Sequence, residues 1–307
     1  MNKRIENFKL LAKMIYGAIL GRIASAKYKP VTLTYVEHDG RTLELDLYLP
    51  EGSGVVPSSE PLPLIIWFHG GAWLMGSRKD IESIAVRQIE RGFALASVSY
   101  SLSDTAQWPT QCFEAKAAVR YLRQHAAEYG INPDLFVAWG MSAGAHMSCM
   151  LGASNGVEEL EGGLGHSVES SSEVQAVVAW YPPTDFLSVG RDFDGLLDYY
   201  AEDSPVTKLL GESIGTAPEK AELASPLNFV KQGAPPFFLA HGSKDPIVPL
   251  SQSELMYAKL EDVGADPELI IEPTFTHGDY RFNSGKTALA VEKFLDRLRK
   301  KSVQPRS

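Results

Sequence analysis

Read for hydrophobic period alone, the chain alternates between short apolar runs and helical stretches. Residues 64–68, 93–99, 136–139, 176–180, 237–240 and 269–272 are apolar-rich runs bounded by turn-forming residues. That is the pattern of strands buried on both faces. Helical spacing fills the gaps around 80–91, over 109–129, directly after Ser142 and from about 286 to 299. Residues 31–36 and 42–49 alternate apolar with polar instead, and His38-Asp39-Gly40 joins them. Asp-Gly between two such runs is a hairpin signal. The fold class predicted is α/β, with a mostly parallel eight-stranded sheet, helices on both faces and an antiparallel hairpin at its start.

Three stretches fall outside this alternation. Residues 51–63 are rich in Ser, Gly and Pro and read as a surface loop. Residues 153–173 and 182–226 exceed ordinary loop length, and long insertions in a compact α/β domain are usually lids or binding loops. The second is expected to carry short helices and form a small cap.

The first 30 residues form a segment of their own. Ile5, Phe8, Leu11, Ile15 and Ile19 recur at helical spacing and predict an amphipathic helix. We expect the stripe to pack on the body of the protein or over its active site. A helix lying on a membrane surface and a poor signal peptide ending near Ala24-Ser25-Ala26 are the competing readings. Residues 31–307 are expected to be one α/β domain with its cap insertion around 182–226.

Charge sharpens the contrast. Residues 1–30 hold seven cations (Lys3, Arg4, Lys9, Lys13, Arg22, Lys27 and Lys29) against Glu6, a net of +6. The whole chain of 307 residues carries −9, so the remainder carries −15. A body this acidic, without a basic block, argues against a nucleic-acid partner. Two cysteines, Cys112 and Cys149, are too few for a disulfide framework or a four-ligand zinc site. No apolar run reaches the roughly 18 residues that span a bilayer. Without a convincing secretion signal, the expected location is cytoplasmic.

The candidate chemistry centres on Gly140-Met141-Ser142-Ala143-Gly144, which follows one buried run and opens a helical one. A serine on a sharp strand-to-helix turn presents its hydroxyl above the sheet edge. The helix N-terminus adds free N–H groups beside it. A serine hydroxyl is a weak nucleophile and needs a base, which in turn needs a carboxylate to fix its tautomer. Asp245 lies just past the run 237–240, where functional groups of open α/β sheets gather. His277 follows the last strand and is the one histidine C-terminal to Asp245. Asp185 and Asp279 are weaker carboxylate candidates. Upstream, His69-Gly70-Gly71-Ala72 follows a buried strand and suits a loop whose backbone N–H groups face a ligand. Gly70, Gly71 and Ala143 are the candidate oxyanion donors. His38, His125, His146, His166 and His241 read as structural or solvated. Trp73, Leu74, Met75, Trp108, Met141, Tyr181, Phe186 and Phe275 are the apolar residues available to line a pocket, each also readable as core.

These motifs, with Val98-Ser99-Tyr100, residues 117–122, Ser225-Pro226-Leu227 and residues 235–252, carry a family resemblance. Residues 31–300 resemble an α/β-hydrolase of the HGG-type serine esterase group. That group includes hormone-sensitive-lipase-like enzymes and bifunctional acetyl xylan/feruloyl esterase-like enzymes. The resemblance implies the α/β-hydrolase fold, Ser142 as nucleophile, Asp245 as acid, His277 as base, and the same three oxyanion donors. It implies a carboxylesterase working through an acyl-enzyme on small ester substrates, with no metal and no cofactor. Amide or formamide hydrolysis on the same triad is the alternative, and a non-catalytic ligand-binding protein the third reading. A homodimer and a membrane contact through the first helix are secondary expectations. Ala72 stands where many relatives have a third glycine. Met141 stands where many have an acidic residue, and that departure weakens the lipase-like branch.

Overall fold

The computed structural model describes residues 3–50, 60–191 and 193–302, with the side chains of the first helix described from Leu10 onward. Most of the expected loop 51–63 therefore lies outside the described residues, as do the side chains of Ile5 and Phe8. The chain opens with α1 (Lys3–Ser25), then the hairpin β1 (Val31–His38) and β2 (Arg41–Tyr48). Asp39 and Gly40 both have positive φ, 49° and 71°, as a two-residue hairpin turn requires. Next come β3 (Leu62–Phe68), α2 (Ser83–Arg87), β4 (Ala94–Val98), α3 (Thr110–Gln124), β5 (Ile131–Met141) and α4 (Ala143–Ala153). The order continues with α5 (Glu158–Glu161), β6 (Ala176–Trp180), α6 (Pro205–Leu210), α7 (Pro218–Leu223), β7 (Phe237–Gly242), α8 (Ser251–Asp262), β8 (Glu268–Glu272) and α9 (Gly285–Ser302).

The eight strands form one sheet in the order β1-β2-β4-β3-β5-β6-β7-β8. The pairings β1–β2 and β2–β4 are antiparallel, and the other five are parallel. This is the α/β-hydrolase fold. Alternate residues of β5 feed two cores: Phe136 and Ala138 pack with α3 and α4 on one face, Val137 and Trp139 with α2 and α9 on the other. Two covered faces explain why the parallel strands read as unbroken apolar runs rather than alternating ones. The 182–226 stretch holds α6 and α7, and Val206, Leu209, Leu210 and Ala221 join the α3–α4 core.

Several boundaries move. The helix expected over 80–91 shrinks to α2, with Asp80 capping a turn by accepting from the Ser77 N–H at 2.9 Å. The helix expected over 109–129 ends at Gln124, and β5 begins at Ile131, five residues before the expected strand.

The larger difference concerns α1. Its expected packing stripe points outward: Leu11, Ile15 and Ile19 are all about half exposed. The helix meets the body through Lys13, Gly17 and Gly21, which lie one turn apart on the opposite face. A Cβ on Gly21 would come within 1.8 Å of the Ile81 carbonyl oxygen, so the absence of a side chain sets the approach. Lys13 Nζ donates to Asp279 Oδ2 at 2.7 Å and to Thr276 Oγ1 at 3.2 Å, and Arg22 donates to Asp80 at 2.8 Å. Small residues and ion pairs, rather than the apolar stripe, fix the helix to the body.

Candidate active site

Gly140, Met141 and Ser142 leave the carboxyl end of β5 and enter α4. Ser142 sits at φ 52°, ψ −121°, a conformation rare for a residue with a Cβ. Its own N–H is bonded to the Trp180 carbonyl at 2.9 Å, which ties the turn to the neighbouring strand. The glycine two residues on is required by packing. A Cβ on Gly144 would lie 2.0 Å from the Phe68 carbonyl oxygen and 2.5 Å from that of His69. The start of α4 is therefore pressed against the end of β3, where the His69-Gly70-Gly71 loop begins.

Ser142, His277 and Asp245 come from the ends of β5, β8 and β7. The Ser142 hydroxyl donates to His277 Nε2 at 2.9 Å, and His277 Nδ1–H donates to Asp245 Oδ2 at 2.7 Å. His277 is 3% exposed, and the Tyr181 ring meets its edge with centroids 4.6 Å apart. The other carboxylate oxygen of Asp245 accepts the N–H groups of Ile247 and Val248 at 2.8 and 3.0 Å. One side chain thus shapes its own turn and orients the imidazole. Burial alone would push the Asp245 carboxyl up, but the charge and hydrogen bonds of His277 and His241 outweigh it. The group is held well below the usual carboxylate range and is ionised at neutral pH.

The loop after β3 is built around buried His69. The Tyr100 hydroxyl donates to the His69 carbonyl at 2.7 Å and its ring stacks on the imidazole. The His69 ring donates from Nδ1 to the Gly70 carbonyl at 2.8 Å. Burial lowers the His69 pKa, so the ring stays neutral. Gly71 has φ 122° and leaves no room for a side chain, since a Cβ would meet the Met75 carbonyl at 2.1 Å. Ala72 and Trp73 are also left-handed, at 55° and 58°. This tight turn of three left-handed residues lies beside the end of β5, since a Cβ on Gly70 would come 3.1 Å from the Met141 carbonyl oxygen.

The model of the BD-FAE family matches residues 45–260. The chain belongs to this family. Esterase LipQ of Mycobacterium tuberculosis is 31% identical over 204 residues, 66% of this chain and 47% of LipQ. The chain spans between 47% and 61% of the length of three such mycobacterial relatives. Among solved structures, a truncated carbohydrate esterase from gut microbiota superposes with a TM-score of 0.77 at 29% identity, over 88% of this chain and 96% of that one. The thermophilic esterase Est2 of Thermogutta terrifontis, with propionate bound, gives a TM-score of 0.71 at 25% identity, over 88% and 94%.

For this BD-FAE family member, the remaining sequence candidates divide clearly. Asp185 accepts from the Leu187 N–H and Ser188 hydroxyl, a turn role away from His277. Asp279 bonds Lys13 and Arg281 rather than His277. His146, one turn after Ser142, donates from Nε2 to the Ala224 carbonyl at 2.7 Å and lies among Trp73, Trp108 and Phe186. Burial lowers its pKa to about 4. Cys112 and Cys149 are buried free thiols, pushed up by burial. Among the described residues, no group of three His, Cys, Asp or Glu is placed to hold a metal ion.

Sequence reasoning treated His241 as only structural and missed its place in the site. It bonds the Ser253 hydroxyl at 2.7 Å and the Val248 carbonyl at 3.0 Å, and its Nε2 lies 3.5 Å from Asp245 Oδ2. Its position four residues before Asp245 was the available signal. The Lys13 contacts on either side of His277 had no local signal at all.

Proposed function

We propose that this chain is a serine carboxylesterase. The observation that carries the reading is the unbroken line from the Ser142 hydroxyl through His277 to Asp245, with Ser142 on a strained strand-to-helix turn. Ser142 Oγ attacks the ester carbonyl while His277 Nε2 takes its proton. Ionised Asp245 holds the Nδ1–H tautomer and stabilises the imidazolium. The N–H groups of Gly70, Gly71 and Ala143 receive the oxyanion of the tetrahedral intermediate. His277 then returns the proton to the leaving alcohol, and water releases the acyl group by the same steps. No metal or cofactor enters this sequence.

Short acyl chains on alkyl, aryl or sugar alcohols are the substrates we infer. Aromatic packing beside the nucleophile supports a small acyl site, because Trp73, Trp108, His146 and Phe186 fill the space next to the first turn of α4. The carbohydrate-esterase and propionate-bound neighbours support the same class. The stretch 182–226 is read as a small cap.

The test is hydrolysis of p-nitrophenyl esters from acetyl to long acyl chains, alongside matched anilides, by wild type and Ser142→Ala. Ester turnover that declines beyond short chains and vanishes in the variant is expected. Faster anilide than ester turnover would assign amide hydrolysis to the same residues. Tight binding without any turnover would assign a ligand-binding protein.

A further inference from the structure

The outward face of α1 holds Leu11, Ile15, Tyr16, Ile19 and Ile23, each between 48% and 67% exposed. At 100° per residue these five side chains fall within an arc of roughly 140°. Large apolar side chains scattered singly are normal on a surface, but five along one helix face form a patch that signals a partner. The opposite face is already occupied: Lys13 bonds Thr276 and Asp279, Gly17 faces Glu82 and Tyr280, and Gly21 meets Ile81. The helix is therefore held in place. Tyr16, at the edge of the outward face, meets the Tyr280 ring edge-on with centroids 4.9 Å apart, and Leu11, Ile15, Ile19 and Ile23 are left to water.

We propose that this face docks on an anionic lipid surface, with α1 lying in the plane of the headgroups. Charge selects the occupant. By sequence the segment carrying the stripe has a net charge of +6 and the rest of the chain −15. Lys13, Arg22 and Lys27 are paired with Asp279, Asp80 and Glu90 of the body. Lys3, Arg4, Lys9 and Lys29 against Glu6 therefore leave +3 for an outside partner. A second copy meeting this face through a twofold axis would set two segments of like charge, +3 each after their ion pairs with the body, against one another. Negatively charged headgroups complement it, and such a surface attracts nearby Lys and Arg while the apolar side chains enter the acyl boundary. The helix lies on the surface rather than through it, since among the described residues no helix is long and apolar enough to cross a membrane. Because the inner face of α1 bonds residues on both sides of His277, docking would bring the lipid surface to within about a helix diameter, ~10 Å, of the candidate base.

The experiment uses the full chain with phosphatidylcholine vesicles, with and without phosphatidylglycerol, in a sedimentation assay. Binding to the phosphatidylglycerol vesicles should be at least about tenfold stronger than to neutral ones, and high salt should release the protein. The triple variant Ile15→Ser, Ile19→Ser, Ile23→Ser should lose vesicle binding by more than about tenfold. Its melting temperature and its hydrolysis of a soluble ester should stay at wild-type levels, because these side chains face water. Failure of the wild type to sediment with anionic vesicles would overturn the proposal. So would equal binding to neutral vesicles, or undiminished binding by the triple variant. A wild-type dimer in light scattering that the triple variant converts to monomer would assign the face to a second copy instead. The vesicle, melting and light-scattering readings do not depend on whether the chain hydrolyses esters.

Discussion

Asp245 and His277 lie 32 residues apart in the chain and 2.7 Å apart in space, joined by one carboxylate oxygen while the other holds the turn at Ile247 and Val248. The two duties can be separated. Asp245→Asn keeps an oxygen for the Ile247 and Val248 N–H groups, so the turn and the melting temperature should change little. The amide lacks the negative charge and favours the wrong imidazole tautomer, so kcat should fall by on the order of 10⁴. Ester kinetics and a thermal melt on the same preparation check both halves.

Lys13 bonds Thr276 and Asp279, the residues on either side of the His277-Gly278 pair. Lys13→Met should lower kcat by roughly fivefold, about 1 kcal/mol of barrier, with little change in KM. Lys13→Arg should recover part of the loss. Arg22→Met removes a different anchor of α1, the Asp80 pair, and should leave kcat unchanged. Equal losses in the Lys13 and Arg22 variants would mean that α1 matters only for stability.

His146 predicts a pH effect on stability. Its folded-state pKa of about 4 lies below the ordinary histidine value of 6.5, so the unfolded chain binds its proton first as pH falls. Stability due to the neutral ring is therefore fully present above about pH 6.5 and lost progressively down to about pH 4. The shift corresponds to about 3 kcal/mol. Between pH 7 and pH 4 the unfolding free energy of the wild type should drop by that much more than that of His146→Gln. Denaturant unfolding at the two pH values measures the difference.

Gly144 has its missing side chain aimed at the end of β3. Gly144→Ala should destabilise the fold by on the order of 3 kcal/mol and pull Ser142 out of line with His277. Circular dichroism melts and ester turnover should both report the loss. A stable, fully active variant would mean that the elbow tolerates a wider gap between α4 and β3.

Much of this arrangement was legible because local chemistry demanded it. The strand-to-helix turn at Ser142 needs small residues around it, and the Gly-Met-Ser-Ala-Gly spacing states that need openly. The parallel strands were readable because both their faces are covered, leaving apolar runs with no alternation. The reading failed where burial is decided by approach rather than by hydrophobicity. Leu11, Ile15 and Ile19 have the right period for a packing face, yet Gly17 and Gly21 let the backbone come closer on the other side. Nor does spacing reveal that His241 and His277 converge on one carboxylate, since the junction of two strand ends makes that contact. The start of β5 at Ile131 was hidden because turn-forming Asn132, Pro133 and Asp134 interrupt the apolar run, while Ile131 pairs with Leu62 across the sheet.

The contacts of Lys13 with Thr276 and Asp279 span 263 and 266 positions. On a ribosome, α1 emerges early and can meet α2 as soon as residues 81–87 follow it. Its grip on the His277 loop must wait until all eight strands have been made. The site is thus closed by a helix that precedes every strand of the sheet and a loop that follows them all, and a chain stopped before Thr276 would hold the serine turn without its candidate base.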